Sequence, residues 1–171
     1  MKIMFASDIH GSYKYAKLMK EKFIEEKAEK LVLLGDLLYH GPRNDLPEEY
    51  APKKVIELLN GMKNDILCVR GNCEAEVDQM VLEFPCMADY AVMYLDGKML
   101  YITHGHTINP DNPPPLNRGD YLMNGHTHVG AIEGRGDFTY LNPGSVSIPK
   151  DGKHSYMVYE NGTFEIKELC I

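Results

Sequence analysis

Nothing in these 171 residues approaches the ~20 consecutive apolar positions that cross a bilayer. The opening stretch Met1-Lys2-Ile3-Met4-Phe5-Ala6-Ser7-Asp8 meets charge too early for a secretory signal. Cysteine is sparse: Cys68, Cys73, Cys86 and Cys170 form no C-x-x-C pair. That argues against a disulfide framework or a thiolate-rich structural zinc site, and reduced thiols in a cytoplasmic protein are the simplest account. No run of Lys or Arg stands out, and the net charge is −7. That argues against a large electrostatic footprint for nucleic acid, and no stacking ladder for bases stands out among the tyrosines. No repeat or linker divides it. With 44% hydrophobic residues, 1–171 reads as one domain able to bury a proper core.

What is present is an alternation of strand and helix followed mostly by strands. Residues 2–7 form an apolar run. Ser12 is placed to cap a helix reaching about Lys27, with Ala16, Met19 and Phe23 on one face. Leu31 to Leu34 reads as a buried strand. Pro52 opens a second helix with Val55, Leu59 and Met62 as its stripe, and Ile66 to Val69 is a third strand. This β-α-β-α-β start predicts a parallel sheet with right-handed crossovers. Asp96-Gly97 between residues 88–95 and 98–103 is a hairpin signal, and Asn161-Gly162 is another. Further short strands are expected near 121–124, 138–141, 154–159 and 163–169. Two loops, 38–52 and 107–120, are rich in proline and are expected to wall a pocket.

Just after successive apolar runs come residues that bind divalent metals: Asp8 and His10, Asp36, Asn72, His104, and His126 with His128. His106 is an eighth candidate. Mixed oxygen and imidazole donors suit Mn²⁺, Fe²⁺, Ni²⁺ or Zn²⁺ better than Ca²⁺ or Mg²⁺. Strand ends are where open α/β sheets place their sites. If the segments are extended, i and i+2 share a side, which would let Asp8 converge with His10 and His126 with His128. Asp36 has two carboxylate oxygens with which to bridge two cations. Neutral Asn72 keeps the ligand charge low, so the ions stay strong Lewis acids. Each patch alone has a plainer reading: Gly-Asp as a turn, His-x-His as a surface or core pair, Asp8 and His10 as neighbours of a helix cap. Their joint occurrence at strand ends favours a dinuclear metal hydrolase.

The order Asp8-Ile9-His10, Gly35-Asp36, Gly71-Asn72-Cys73-Glu74, His104, Gly125-His126-Thr127-His128 resembles the calcineurin-like metallophosphoesterase superfamily over roughly residues 3–146. The chain length and Asn142-Pro143-Gly144-Ser145 resemble its small phosphodiesterase subgroup. The resemblance implies an α/β fold, a four-layer α/β/β/α sandwich. It implies two divalent ions per chain, with Mn²⁺ foremost and Ni²⁺, Fe²⁺, Zn²⁺ or Mg²⁺ as alternatives. One ion would take Asp8, His10, Asp36 and His128, the other Asp36, Asn72, His104 and His126. A hydroxide bridging the ions would attack a small soluble phosphodiester, and a homo-oligomer is favoured. Among the family positions, Asp36, Asn72, Cys73 and His106 are the catalytic candidates. His40, Arg43 and Cys73 are the substrate-contact candidates, His40 standing where relatives often carry a phosphate-binding Arg. Cys73 departs from the family's histidine, which counts against a phosphomonoesterase or nucleotide phosphatase. A non-catalytic interaction scaffold of the same fold and a nuclease are the remaining alternatives.

Overall fold

The computed structural model describes residues 1–169. Cys170 therefore lies outside the described residues, and Cys68, Cys73 and Cys86 are free thiols. In chain order the elements are β1 (Ile3–Ala6), α1 (Tyr13–Glu25), β2 (Lys30–Leu33), α2 (Pro52–Asn60), β3 (Ile66–Cys68), α3 (Glu76–Val81), β4 (Ala91–Leu95), β5 (Lys98–Ile102), β6 (Tyr121–Met123), β7 (Gly130–Arg135), β8 (Phe138–Pro143), β9 (Ser155–Glu160) and β10 (Thr163–Glu168). Two five-stranded sheets form, β10-β9-β1-β2-β3 and β4-β5-β6-β8-β7. Stacked face to face and flanked by helices, they make the expected α/β sandwich.

The expected crossovers follow from strand composition. β1, β2 and β3 are parallel, with Phe5 opposite Val32 and Leu33 opposite Cys68. Alternation divides their side chains between two cores. Met4, Ala6, Leu31 and Leu33 pack with Ala16, Met19, Val55 and Leu59 of the helices. Ile3, Phe5, Val32 and Leu34 pack with Leu100, Ile102, Met123 and Leu141 of the second sheet. Ser12 is the N-cap of α1, its hydroxyl accepting from the Tyr15 N–H. The helix stops at Glu25, two residues short of the expected end, because Lys27 turns to a left-handed φ of 53°. Both hairpins form. Asp96 and Asn161 sit at φ near 50°, each followed by a glycine at positive φ, as two-residue turns between twisted strands require. Two elements have no clear sequence signal, the short α3 and the edge strand β7. Among the described residues no helix is long and apolar enough to cross a membrane.

In the second sheet β5, β6 and β8 are mutually parallel. Their C-terminal ends lead into His104, His126 and Ser145, just as β1, β2 and β3 lead into Asp8, Asp36 and Asn72. The stacked sheets therefore deliver every metal-type residue to one edge.

Candidate active site

The convergence of Asp8 with His10 and of His126 with His128 does not come from extended backbone. Asp8, His10, Asp36, His126 and His128 all adopt left-handed φ, between 48° and 65°. Asp and His tolerate that region better than most residues, at a cost of roughly 1–2 kcal/mol each. Local strain of this kind clusters at functional sites and persists only where the surroundings enforce it. Here hydrogen bonds enforce it: Asp8 N to Gly35 O at 3.1 Å, His10 N to Asp36 O at 2.9 Å, and His126 N to Asp8 Oδ2 at 3.0 Å. Ser145 and Ser147 hydroxyls both donate to the Asp8 carbonyl, at 2.9 and 3.1 Å. His126 and His128 do not converge on each other. They face different partners.

Two donor clusters result. In the first, His128 Nε2 lies 3.2 Å from Asp8 Oδ1 and 3.4 Å from His10 Nε2. In the second, His104 Nε2 lies 3.1 Å from Asn72 Oδ1 and 3.2 Å from His126 Nδ1. Asp36 Oδ2 stands between them, 3.7 Å from His10 Nε2 and 3.5 Å from His104 Nε2. Its other oxygen, Oδ1, accepts the Cys73 N–H at 2.9 Å. One oxygen, not two, is thus free to be shared between the clusters.

The histidine tautomers are set from behind. Nδ1 of His10, His104 and His128 each meets a backbone carbonyl, of Tyr39 at 2.8 Å, Leu34 at 2.6 Å and Ile148 at 2.7 Å. A carbonyl only accepts, so each Nδ1 carries the proton and each neutral ring turns an Nε2 lone pair inward. This is the arrangement metal-binding histidines use. Lone pairs facing one another across 3.1–3.4 Å repel unless a cation or a proton lies between them. Asp8 Oδ1 is buried and has no hydrogen-bond partner among the described residues, as a ligand oxygen held for a cation would be. The donor set therefore fits divalent ions.

Without a cation, protons take that place. Burial works to lower the pKa of His104, but its hydrogen bond to Asp36 and the charges of Asp8 and Asp36 outweigh burial and hold it at about 9. Burial alone would raise Asp8 and Asp36, yet neighbouring imidazoles, which can donate to them once protonated at Nε2, pull both below the usual carboxylate range. His126 is lowered by burial and by the His104 charge. Cations entering the cluster displace such protons, so binding is expected to release protons and weaken in acid.

Glu74 closes the third motif, and the fold gives it a role that its sequence position does not reveal. Its buried carboxylate accepts the backbone N–H groups of Asp36 at 2.8 Å, Leu37 at 2.7 Å and Gly71 at 2.5 Å. It clamps the loop after β2 to the loop after β3. Burial and the Asp36 charge push its pKa up, against these three donors. Glu74→Ala leaves three buried donors unpaired and is expected to destabilise the metal-free protein by about 2–4 kcal/mol, read by urea unfolding. Asn142 plays a similar part for the last motif, donating to Gly125 O at 2.8 Å and Thr127 Oγ1 at 3.1 Å.

A cavity of about 170 Å³ opens over the two clusters, walled by Gly41, Arg43, Cys73 and Lys150 among others. Arg43, a substrate-contact candidate, is among the residues that line it. His40 is not part of that wall: its ring packs edge-on to Tyr39 and Tyr50, at 4.7 and 5.4 Å between centroids. His106 is exposed, its ring 5.5 Å from that of His104, and it walls an adjoining cleft. Lys150 has no sequence signal; its amide donates to His128 O. Cys73 Sγ accepts from Asn72 Nδ2 at 3.4 Å, and burial followed by the charge of Asp36 raises the thiol's pKa well above normal. The neutral thiol is the form present. His154 stacks on Tyr15 at 3.9 Å and donates to or accepts nothing at this site.

Comparison with known proteins agrees with this geometry. Residues 1–163 match the calcineurin-like phosphoesterase superfamily domain. The phosphodiesterase YfcE of Escherichia coli strain K12 is 50% identical over 170 residues, covering 99% of this chain and 92% of its own. The solved structure of the E. coli YfcE phosphoesterase superposes with a TM-score of 0.97 at 49% identity, over 99% of this chain and 93% of that one. An archaeal phosphodiesterase shares the fold at 20% identity, with a TM-score of 0.71 over 98% of this chain and 99% of its own. The chain belongs to the calcineurin-like phosphoesterase superfamily.

Proposed function

We propose that this protein is a metal-dependent phosphodiesterase that hydrolyses small phosphodiesters with two divalent ions per chain. The observation that carries the reading is the position of Asp36 Oδ2 between two inward-facing donor clusters. Asp8, His10, Asp36 and His128 would hold one ion; Asp36, Asn72, His104 and His126 would hold the other. Mn²⁺ is the first choice, with Ni²⁺, Fe²⁺, Zn²⁺ or Mg²⁺ able to take the same donors. When bound, such a pair neutralises phosphate oxygens and lowers the pKa of a water for in-line attack. The name carried by the E. coli relative supports the same activity.

The chain's own residues do the rest. The left-handed turns and the carbonyl-anchored imidazoles fix the donors before any ligand arrives, so little reorganisation is needed at reaction. Arg43 and Lys150 at the cavity mouth orient the phosphate by charge. Water oxygen bonds to phosphorus, the opposite P–O bond breaks, and an alcohol or its anion departs, leaving a monoester. His106, whose ring lies 5.5 Å from that of His104, is the candidate to give a proton to the departing ester oxygen. Burial and the His104 charge lower its pKa. The retained donors at every motif weigh against a non-catalytic scaffold.

The test is elemental analysis together with hydrolysis of bis(p-nitrophenyl) phosphate and p-nitrophenyl phosphate by protein loaded separately with each metal. Two ions per chain and a diester preference are expected; a metal-free or inert protein would overturn the proposal. Cys73 bears on the selectivity. A neutral thiol is a weak donor beside a phosphate that, in a monoester, carries an extra charge. Cys73→His is expected to raise the monoester-to-diester ratio of kcat/KM by about tenfold, a part of the roughly 10²–10⁴-fold that fully positioned acid–base help supplies. An unchanged ratio in both Cys73→His and Cys73→Ala would make Cys73 a packing residue only.

A further inference from the structure

Beside the small cavity over the metal-type residues lies a second one, about 450 Å³, that shares His126 with it. His106 stands at their junction, its ring 6.2 Å from that of His126. From there the cleft runs between the 105–111 loop and the face of β7 that carries Ala131, Glu133 and Arg135, with Asp111, Asn124 and Tyr140 of β8 also bounding it. Its volume matches a nucleoside- or sugar-sized group, far more than the phosphate needs.

Its chemistry is unlike that of the small cavity. Arg43 and Lys150 make the mouth of the small cavity cationic. The larger cleft has two carboxylates, Asp111 and Glu133, against one cation. That cation is already spent: Arg135 gives Nε and Nη2 to Glu133 Oε2, at 3.2 and 2.8 Å. Asn124 adds a buried acceptor. Its Nδ2 faces the carbonyls of Thr103, Ile108 and Met123, which fixes which end is oxygen, and Oδ1 has no partner among the described residues. The cleft thus combines a negative balance with an unsatisfied buried acceptor, and the hydroxyls of Thr127 and Tyr140 add groups that both donate and accept.

We infer that this cleft seats one ester arm of the substrate, and that the arm is a neutral or amine-bearing, hydroxyl-rich group of nucleoside or sugar size without a second phosphate. The inference rests on the phosphodiesterase reading and deepens it. A diester whose phosphorus sits over Asp36 has an arm beside His126 and His106, and that is where the cleft begins. Hydroxyl or amine donors on the arm satisfy the waiting acceptors, whereas an added phosphate meets the charge of Asp111, which the Arg135–Glu133 pair leaves unbalanced.

Chromogenic diesters that differ only in one arm test this: methyl p-nitrophenyl phosphate, thymidine 5′-p-nitrophenyl phosphate, and the thymidine compound carrying a 3′-phosphate. The metal-loaded enzyme is expected to favour the thymidine arm over methyl by about tenfold or more in kcat/KM, a difference of ~1.4 kcal/mol. The 3′-phosphate is expected to remove that gain. Ala131→Trp, which fills the cleft from β7, should bring the thymidine diester down to the methyl level with the methyl rate unchanged. Asp111→Lys, on an exposed loop, should recover the 3′-phosphorylated substrate. Equal rates for methyl and thymidine arms, or a parallel loss on all three diesters in Ala131→Trp, would overturn the inference while leaving the phosphodiesterase reading standing. No hydrolysis of any of the three would sink that reading and this inference with it.

Discussion

Asp36→Asn is expected to lower diester hydrolysis at least a thousandfold and to reduce bound metal below two ions per chain, with the fold retained. The oxygen that faces both donor clusters is Oδ2, since Oδ1 is held by the Cys73 amide. An asparagine presents either a neutral oxygen or an NH₂ group there, and an NH₂ group repels a cation. The several kcal/mol that paired ions supply to phosphoryl transfer correspond to a loss of ~10³ or more when the bridge goes. The core does not depend on the site in the manner of a zinc finger. Urea unfolding of the metal-free variant should therefore stay close to that of the metal-free parent. An active Asp36→Asn protein holding two ions would refute the bridging role.

Gly71→Ala is expected to cost about a hundredfold in kcat while changing a residue that binds nothing. A Cβ at that position overlaps Asp36 Oδ1 and crowds the Asp36 amide and Glu74 Oε2. None of these is the free end of a flexible chain. The carboxylate must turn away, and displacements near 1 Å at a reacting centre cost on that order. Kinetics measured at saturating metal separate the two explanations: a loss that excess Mn²⁺ fully restores reflects weaker binding, and one that persists reflects misplacement. Wild-type activity in Gly71→Ala would contradict the packing around Asp36.

Local sequence signals account for much of the fold. β1 to β3, the two long helices and both hairpins follow from apolar periodicity, the Ser12 cap and the Asp-Gly and Asn-Gly turns. β7 carries no such signal. Gly130-Ala131-Ile132-Glu133-Gly134-Arg135 has two glycines and little alternation, and it becomes a strand through pairing with β8. The six-residue α3 buries none of its side chains, so no periodic stripe marks it. At the site, residue types and order are readable because the chemistry requires them. How they converge is not. Left-handed backbone at Asp8, His10 and His126 depends on hydrogen bonds from residues far away in sequence, as do the Glu74 clamp and the two serines on the Asp8 carbonyl. The separation of His126 from His128 likewise comes from the facing sheets.

The most direct test of the central claim is anomalous diffraction from crystals grown with Mn²⁺. Two peaks ~3.5–4 Å apart are expected, the spacing of two-metal phosphoryl-transfer sites, both within bonding distance of Asp36 Oδ2, one beside His10 and His128 and the other beside His104 and His126. A single peak, or two peaks of which only one touches Asp36, would contradict a shared dinuclear site.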